Sequence, residues 1–353
     1  MEVALRLFTH FPIHDRDSNR KDHEILGYVV DPEFPGIDEN GFRNPEADTS
    51  AEWVAIGDSF TFGNGVSSEE SWPAQLAARL DSPVYNYGVG GYGIVHHRWL
   101  FDLALDRKPQ AIVLALFLPN DLDDACKLAG NAHSEAELRK RGLDFSHCKK
   151  ETQKAAGDAS KTGRRDGFRG WYLSTALGSA VQEVVIRPLQ RDRHPERFAL
   201  VRYGDRETTL WGRRVKKHRR AMDVGREEIA KALAMLETFI DEMDRAARAS
   251  SIRFGVLLVP SKENALFEQI DKSEPLYPLF ERSVMQEREL TEGLEHFLRE
   301  QGVPYANARQ CLQQNVARAL YPRDSDGHPR AAGYACLAEA AAPLVKGGLE
   351  NSR

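Results

Sequence analysis

Four short stretches of the chain carry side chains suited to acyl chemistry. The first is Gly57-Asp58-Ser59-Phe60-Thr61-Phe62-Gly63-Asn64-Gly65. A serine between a strand end and a Gly-rich turn leading toward a helix projects its hydroxyl at a sheet edge, with its own N–H facing a developing oxyanion. The second is Asn86-Tyr87-Gly88-Val89-Gly90-Gly91-Tyr92-Gly93, with four glycines in six residues. Such a run permits the close backbone approach and positive φ of an amide-lined anion pocket. It follows the second strand rather than the first, which argues against a dinucleotide fingerprint. The third is Pro119-Asn120-Asp121, where Asn120 offers a side-chain amide. The fourth is Tyr321-Pro322-Arg323-Asp324-Ser325-Asp326-Gly327-His328-Pro329. Its imidazole has carboxylates two and four residues earlier, the acceptor a general base needs to fix its tautomer. Taken singly, each stretch also reads as a cap, a turn or a surface histidine.

The surrounding elements place all four at one edge. Apolar runs predict strands at Glu52 to Ile56, Val84 to Tyr87, Ala111 to Leu118, Arg253 to Val259 and Val303 to Tyr305. Helical patterns cover Ser71 to Leu80, Ile94 to Asp106, Val224 to Ala249, Ser283 to Gln301 and Ala331 to Val345. In the third of these, Ile229, Leu233, Leu236, Ile240, Met243 and Ala247 form a core-facing stripe. Alternating strands and helices predict a doubly wound α/β sheet, whose ligands bind beyond the carboxyl ends of the strands. Residues 1 to about 50 read as an irregular arm rich in turn signals, among them Asn40-Gly41. After Asp121 the pattern lapses for about a hundred residues, apart from short candidates around Trp171 to Ile186.

The chain has 353 residues, 41% hydrophobic and 29% charged, which is ordinary globular composition. No run approaches the roughly 18 to 20 apolar residues of a membrane-spanning helix. A net charge of −5 argues against a dedicated nucleic-acid binder. That total conceals a split: Arg139 to Arg220 holds 22 Lys and Arg against 9 Asp and Glu, a local +13 that leaves −18 elsewhere. Cys126, Cys148, Cys311 and Cys336 include no CxxC pair; the expectation is four unpaired thiols, the alternative a loop closed by Cys126 and Cys148. MEVALRLF lacks the length of a signal-peptide core, so the sequence reads as cytoplasmic, or as periplasmic or membrane-tethered if an N-terminal anchor precedes it. His96 and His97, adjacent on a predicted helix, point in different directions, and neither a metal nor a cofactor is expected.

Together the four blocks resemble the SGNH, or GDSL, hydrolase family, in the family's order, over roughly residues 52 to 121 and 224 to 346. The resemblance implies a flavodoxin-like three-layer α/β/α sandwich with a central parallel sheet of about five strands, carrying an N-terminal arm and a large insertion. On that pattern residues 1–50 are the arm and 51–350 an SGNH hydrolase domain, interrupted by a basic insertion at about 125–222. The resemblance also implies serine-esterase chemistry: Ser59 as nucleophile, His328 as general base, and an oxyanion hole of the Ser59 N–H, the Gly91 N–H and the Asn120 side chain. Two positions depart from the family. Leu118 stands where a glycine is common, and Ser325 stands where an Asp-x-x-His block has its carboxylate. A shorter Asp-x-His block is similar to that of some polysaccharide acetyltransferase and acetylesterase relatives, which favours Asp326 as the orienting carboxylate over Asp324.

The expected activity is removal of an acyl group, foremost acetyl, from a carbohydrate or small ester. The alternatives are O-acetyl transfer to a cell-surface polysaccharide and a non-catalytic carbohydrate- or membrane-binding module. The basic insertion leaves the sheet at its carboxyl edge, as a lid attracting anionic esters, as a solvated loop, or as a membrane-surface element with Trp171, Tyr172 and Trp211 as anchors.

Overall fold

The computed structural model describes residues 20–34, 36–44, 51–128, 136, 139–140 and 195–346. Cys148, Trp171, Tyr172 and the short elements expected around 171–186 lie outside the described residues.

The described chain enters through an antiparallel hairpin, β1 (Arg20–His23) and β2 (Gly27–Val30). There follow β3 (Trp53–Gly57), α1 (Ser59–Phe62), α2 (Trp72–Leu80), β4 (Val84–Gly88), α3 (Ile94–Asp106), β5 (Ala111–Leu116) and α4 (Leu118–Asp124). A second hairpin, β6 (Phe198–Tyr203) and β7 (Arg206–Trp211), leads into α5 (Gly212–Ala221). The chain closes with α6 (Glu227–Ala249), β8 (Arg253–Leu258), α7 (Lys262–Ala265), α8 (Tyr277–Glu300), β9 (Tyr305–Asn307), α9 (Arg309–Gln314) and α10 (Ala331–Lys346).

Five strands form one parallel sheet in the order β4-β3-β5-β8-β9. The order reverses between β3 and β5, and at such a switch point the strand ends diverge into a crevice. Both faces are covered, as uniform apolarity in β5 predicts. Ile112, Leu114 and Leu116 point into a core shared with α3, α6 and the C-terminal half of α8. Ala111, Val113 and Ala115 point the opposite way, toward α2, α10, α5 and the β6–β7 hairpin. Each large apolar side chain fully buried here contributes roughly 1.5–3 kcal/mol over exposure. In α6, Ile229, Leu236, Ile240, Met243 and Ala247 are buried, with Leu233 at the margin of the core.

Four sequence expectations need correction. The N-terminal arm is not merely irregular, since β1 and β2 pair over four registers. β5 stops at Leu116, because Phe117 caps α4 and Pro119, with its fixed φ, opens that helix instead of extending the strand. Residues 198–221, expected to be patternless, form a hairpin and a helix. Cys311 and Cys336 are not free thiols: they form a disulfide between α9 and α10 with Cα atoms 5.4 Å apart. No helix among the described residues is long and apolar enough to cross a membrane.

Candidate active site

Ser59 stands where β3 has just ended. Asp58 caps α1, its carboxylate accepting the Phe60 N–H at 2.9 Å, and Ser59 is the first helical residue. At that position the backbone N–H has no intrahelical acceptor. The turn lies directly against β4: a Cβ on Gly88 would come 2.2 Å from the Phe62 nitrogen and 2.4 Å from the Thr61 carbonyl carbon. Only glycine lets the serine-bearing turn pack so low on the sheet.

Ser59 Oγ lies 2.9 Å from His328 Nε2, and His328 Nδ1 lies 2.7 Å from Asp326 Oδ1. The carboxylate can only accept, so Nδ1 carries the proton and the Nε2 lone pair faces the hydroxyl. Asp326 Oδ1 also accepts the His328 backbone N–H at 3.1 Å, fixing the imidazole relative to its own main chain. Asp324, the alternative orienting residue, instead accepts the Asp326 N–H at 2.7 Å.

The loop bearing these groups is held by side chains from three other elements. Lys262, buried at the start of α7, donates from Nζ to the Asp324 and Asp326 carbonyls at 2.9 Å each and reaches the Pro322 carbonyl at 3.5 Å. Burial pushes its ammonium down from 10.5 to about 7. From β7, the Thr208 hydroxyl donates to the Pro322 carbonyl and the Thr209 hydroxyl to the Arg323 carbonyl at 3.0 Å. From α5, Arg214 donates to the Ser325 carbonyl. Lys262 is seated in turn by Glu287 of α8, which accepts from the Ser261 N–H at 2.8 Å, the Ser261 hydroxyl at 2.5 Å and Asn264 at 2.9 Å. Burial raises the Glu287 pKa.

Asn120, in the first turns of α4, donates from Nδ2 to Asp58 Oδ2 at 3.2 Å, and that oxygen lies 3.4 Å from Ser59 Oγ. One amide N–H is thus committed to Asp58 and the second is left for another acceptor. Gly91 follows β4, the strand beside β3, with φ +78°. The carbonyl of Gly90 accepts from Arg20 at 2.6 Å and from the Tyr28 hydroxyl at 2.9 Å, so the N-terminal hairpin holds this loop. The Phe60 ring lies 5.0 Å from the His328 ring and 4.3 Å from Phe117, giving the site an apolar wall. His218 of α5 packs edge-on against Phe117 at 5.7 Å, and burial, with repulsion from Arg214, Lys217 and His328, pushes it down to about 3. It is uncharged at neutral pH.

The structure therefore brings Ser59, His328 and Asp326 into one hydrogen-bonded chain and ties Asn120 to it through Asp58. His96 and His97 are both buried in the core of α3: His96 stacks on Tyr92 at 4.2 Å, and burial pushes His97 down to about 3. Among the described residues no group of three or more His, Cys, Asp or Glu is placed to hold a metal ion. Sequence reasoning missed Lys262, although it follows the fourth strand at the same sheet edge as the other blocks. It also missed Arg43, a buried guanidinium that donates to the Phe62, Gly63 and Val66 carbonyls at 3.1, 2.7 and 2.8 Å and so closes the turn behind α1. Desolvation lowers its pKa to about 10, so it remains charged.

Residues 55–145 match the model of the GDSL-like lipase/acylhydrolase family, a span that contains Ser59, Gly91 and Asn120. No curated protein matches the chain's sequence. Among solved structures it is similar to a GDSL-like lipase from Bacteroides thetaiotaomicron VPI-5482, at 10% identity over 86% of this chain and 92% of that one, with a TM-score of 0.38. It is also similar to a mutant acetyl-xylooligosaccharide esterase from Geobacillus Stearmophilus, at 13% identity over 85% of this chain and 95% of that one, TM-score 0.36. An α/β hydrolase enzyme from the metagenome of Lake Arreo, Spain, aligns at 14% identity over 85% and 97% of the two chains, TM-score 0.34.

Proposed function

We propose that this chain, which belongs to the GDSL/SGNH-like hydrolase family and is an esterase of that type, works through an acyl-enzyme on Ser59. The observation that carries this reading is the unbroken run from Ser59 Oγ to His328 Nε2 at 2.9 Å and from His328 Nδ1 to Asp326 at 2.7 Å. His328 takes the Ser59 proton as the oxygen attacks the ester carbonyl, and Asp326 stabilises the imidazolium that forms. The developing oxyanion is met by the Ser59 N–H, the Gly91 N–H and the uncommitted N–H of Asn120. The imidazolium returns its proton to the leaving alcohol, and water then attacks the acyl-enzyme with His328 again as base.

The Asp326-to-His328 spacing and the Phe60 ring beside the imidazole, with Phe117 packed against Phe60, support a small acyl group, foremost acetyl, carried on a carbohydrate or small molecule. Arg214 belongs to the basic insertion and donates to the Ser325 carbonyl in the His328 loop, which supports steering of an anionic ester toward Ser59. Fluorophosphonate labelling tests the nucleophile: wild type takes up the probe and Ser59→Ala does not. Absence of labelling in wild type makes the chain a binding module. In an assay of p-nitrophenyl acetate against longer acyl chains, the acetyl ester turns over fastest, and faster release to a saccharide than to water redirects the assignment to O-acetyl transfer. Equal salt dependence for neutral and anionic esters removes the steering component.

A further inference from the structure

A second site lies on another face of α5, away from Ser59. Lys216, Arg219 and Arg220 of α5, Asp223 just beyond it, and Leu279 and Arg282 of α8 line a cleft of about 410 Å³. Four cations and one carboxylate thus line the cleft, with Glu228 also within electrostatic reach of Arg220. None of the four forms an ion pair among the described residues, and Asp223 is occupied in its own turn, accepting the Gly225 N–H at 3.1 Å. The walls are fixed relative to each other: Gln286 of α8 donates to the Arg219 carbonyl at 2.9 Å, and Arg226 to the Arg220 carbonyl at 3.0 Å.

A helix C-terminus favours cations, which is sufficient reason for basic residues in the last turn of α5. It gives no reason for Arg282, which lies in the second turn of α8 on the facing wall and lines the cleft with three like charges. These four exposed cations converge on one cleft, an arrangement that an anion would complete. We propose that the α5–α8 cleft binds a multiply charged phosphate-type oxyanion, with the guanidinium forks of Arg219, Arg220 and Arg282 taking its oxygens and Lys216 adding a point charge. The cleft exceeds a bare phosphate in size and admits a phosphate borne on a small organic group. Val224 and Met285, close in sequence to the lining residues Asp223 and Arg282, are apolar side chains exposed at 49% and 43%, so the phosphate is offered either by a soluble ligand or by a lipid headgroup. The assignment does not depend on the role of Ser59.

The test uses the full chain with inorganic pyrophosphate as probe, followed by calorimetry and thermal unfolding at low ionic strength. Pyrophosphate is expected to bind saturably and raise Tm beyond what chloride does at equal ionic strength. Arg282→Gln and, separately, Arg219→Gln are expected to weaken binding roughly tenfold each, without lowering the ligand-free Tm or turnover of p-nitrophenyl acetate. Cosedimentation with phosphatidylcholine vesicles, with and without phosphatidic acid, distinguishes the sources. Capture by the acidic vesicles that is lost in the same variants identifies a lipid headgroup, whereas pyrophosphate binding without capture identifies a soluble phosphate. Failure to bind either probe, or binding that both variants leave unchanged, overturns the proposal.

Discussion

Asp326 accepts two hydrogen bonds from His328 through one oxygen, from ring Nδ1 at 2.7 Å and from the backbone N–H at 3.1 Å. A carboxylate two residues before its histidine reaches the ring only if the loop doubles back, and the carbonyl contacts of Lys262, Arg214, Thr208 and Thr209 hold it in that shape. Asp326→Asn is expected to lower kcat by roughly a thousandfold or more with little change in KM, because an amide no longer enforces the Nδ1–H tautomer. Asp324→Asn removes a carboxylate that caps a main-chain N–H and lies within electrostatic reach of Lys262, and should cost roughly tenfold or less. Steady-state kinetics on p-nitrophenyl acetate checks the pair, and equal losses would count against Asp326 as the orienting group.

Lys262 makes the stability of this loop depend on pH. Its ordinary value of 10.5 is lowered to about 7 by burial, so between those limits the unfolded chain binds more protons than the folded one. Stability from this group therefore rises with pH across that window and is flat below about pH 7. At full extent the window is worth about 5 kcal/mol, and the carbonyl acceptors, which favour the ammonium, reduce it. Denaturant titrations of wild type and Lys262→Met should diverge as pH rises above 7, with wild type gaining. A constant difference between the two would show that Lys262 does not titrate in this range.

The core strands are readable from sequence because burial on both faces leaves unbroken apolar runs, as in Ala111 to Leu116. The same logic fails for α5, where Gly212, Val215 and Ala221 are the buried positions in a helix otherwise crowded with Lys and Arg. The β6–β7 hairpin did leave a signal: Ala199, Val201 and Tyr203 alternate inward, and Gly204-Asp205 is a two-residue turn. Ser59, Asn120, Asp326 and His328 are readable because each follows or precedes a recognisable element at the carboxyl edge. Lys262, Arg43 and Glu287 are not, because they act on main-chain groups distant in sequence, and no local spacing records such a contact.

Gly88 is where packing and chemistry meet most closely. A Cβ there lies 2.2 Å from the Phe62 nitrogen and 2.8 Å from Thr61 Cβ, so Gly88→Ala must displace the backbone of α1. The overpacking should cost about 1–3 kcal/mol, and a shift of Ser59 Oγ away from His328 should lower kcat more than it raises KM. Gly293, an exposed position within α8 whose added Cβ meets nothing within 4 Å, serves as the comparison. Gly293→Ala should stabilise by about 0.5–1 kcal/mol through helix propensity alone and leave kinetics unchanged. Thermal unfolding with parallel kinetics reads both.

The disulfide between Cys311 and Cys336 spans 25 residues and encloses the whole segment from α9 to α10, including Asp326 and His328. Closing a loop of that length removes chain entropy from the unfolded state worth about 3.5 kcal/mol in the loop-entropy model. Cys311 is half-buried and Cys336 fully buried in the core between α10 and the sheet, so Ala at 336 leaves a small void in addition to losing the crosslink. Cys311→Ser is the cleaner variant. It should lower the unfolding free energy by about 2–4 kcal/mol while leaving the native hydrogen bonds of the His328 loop in place, so turnover at low temperature is retained and inactivation on heating comes earlier. Dithiothreitol should shift wild type toward the variant. A wild-type Tm insensitive to the reductant, with reduction of this pair confirmed by mass spectrometry, would mean that the native contacts of α9 and α10 hold the segment without the crosslink.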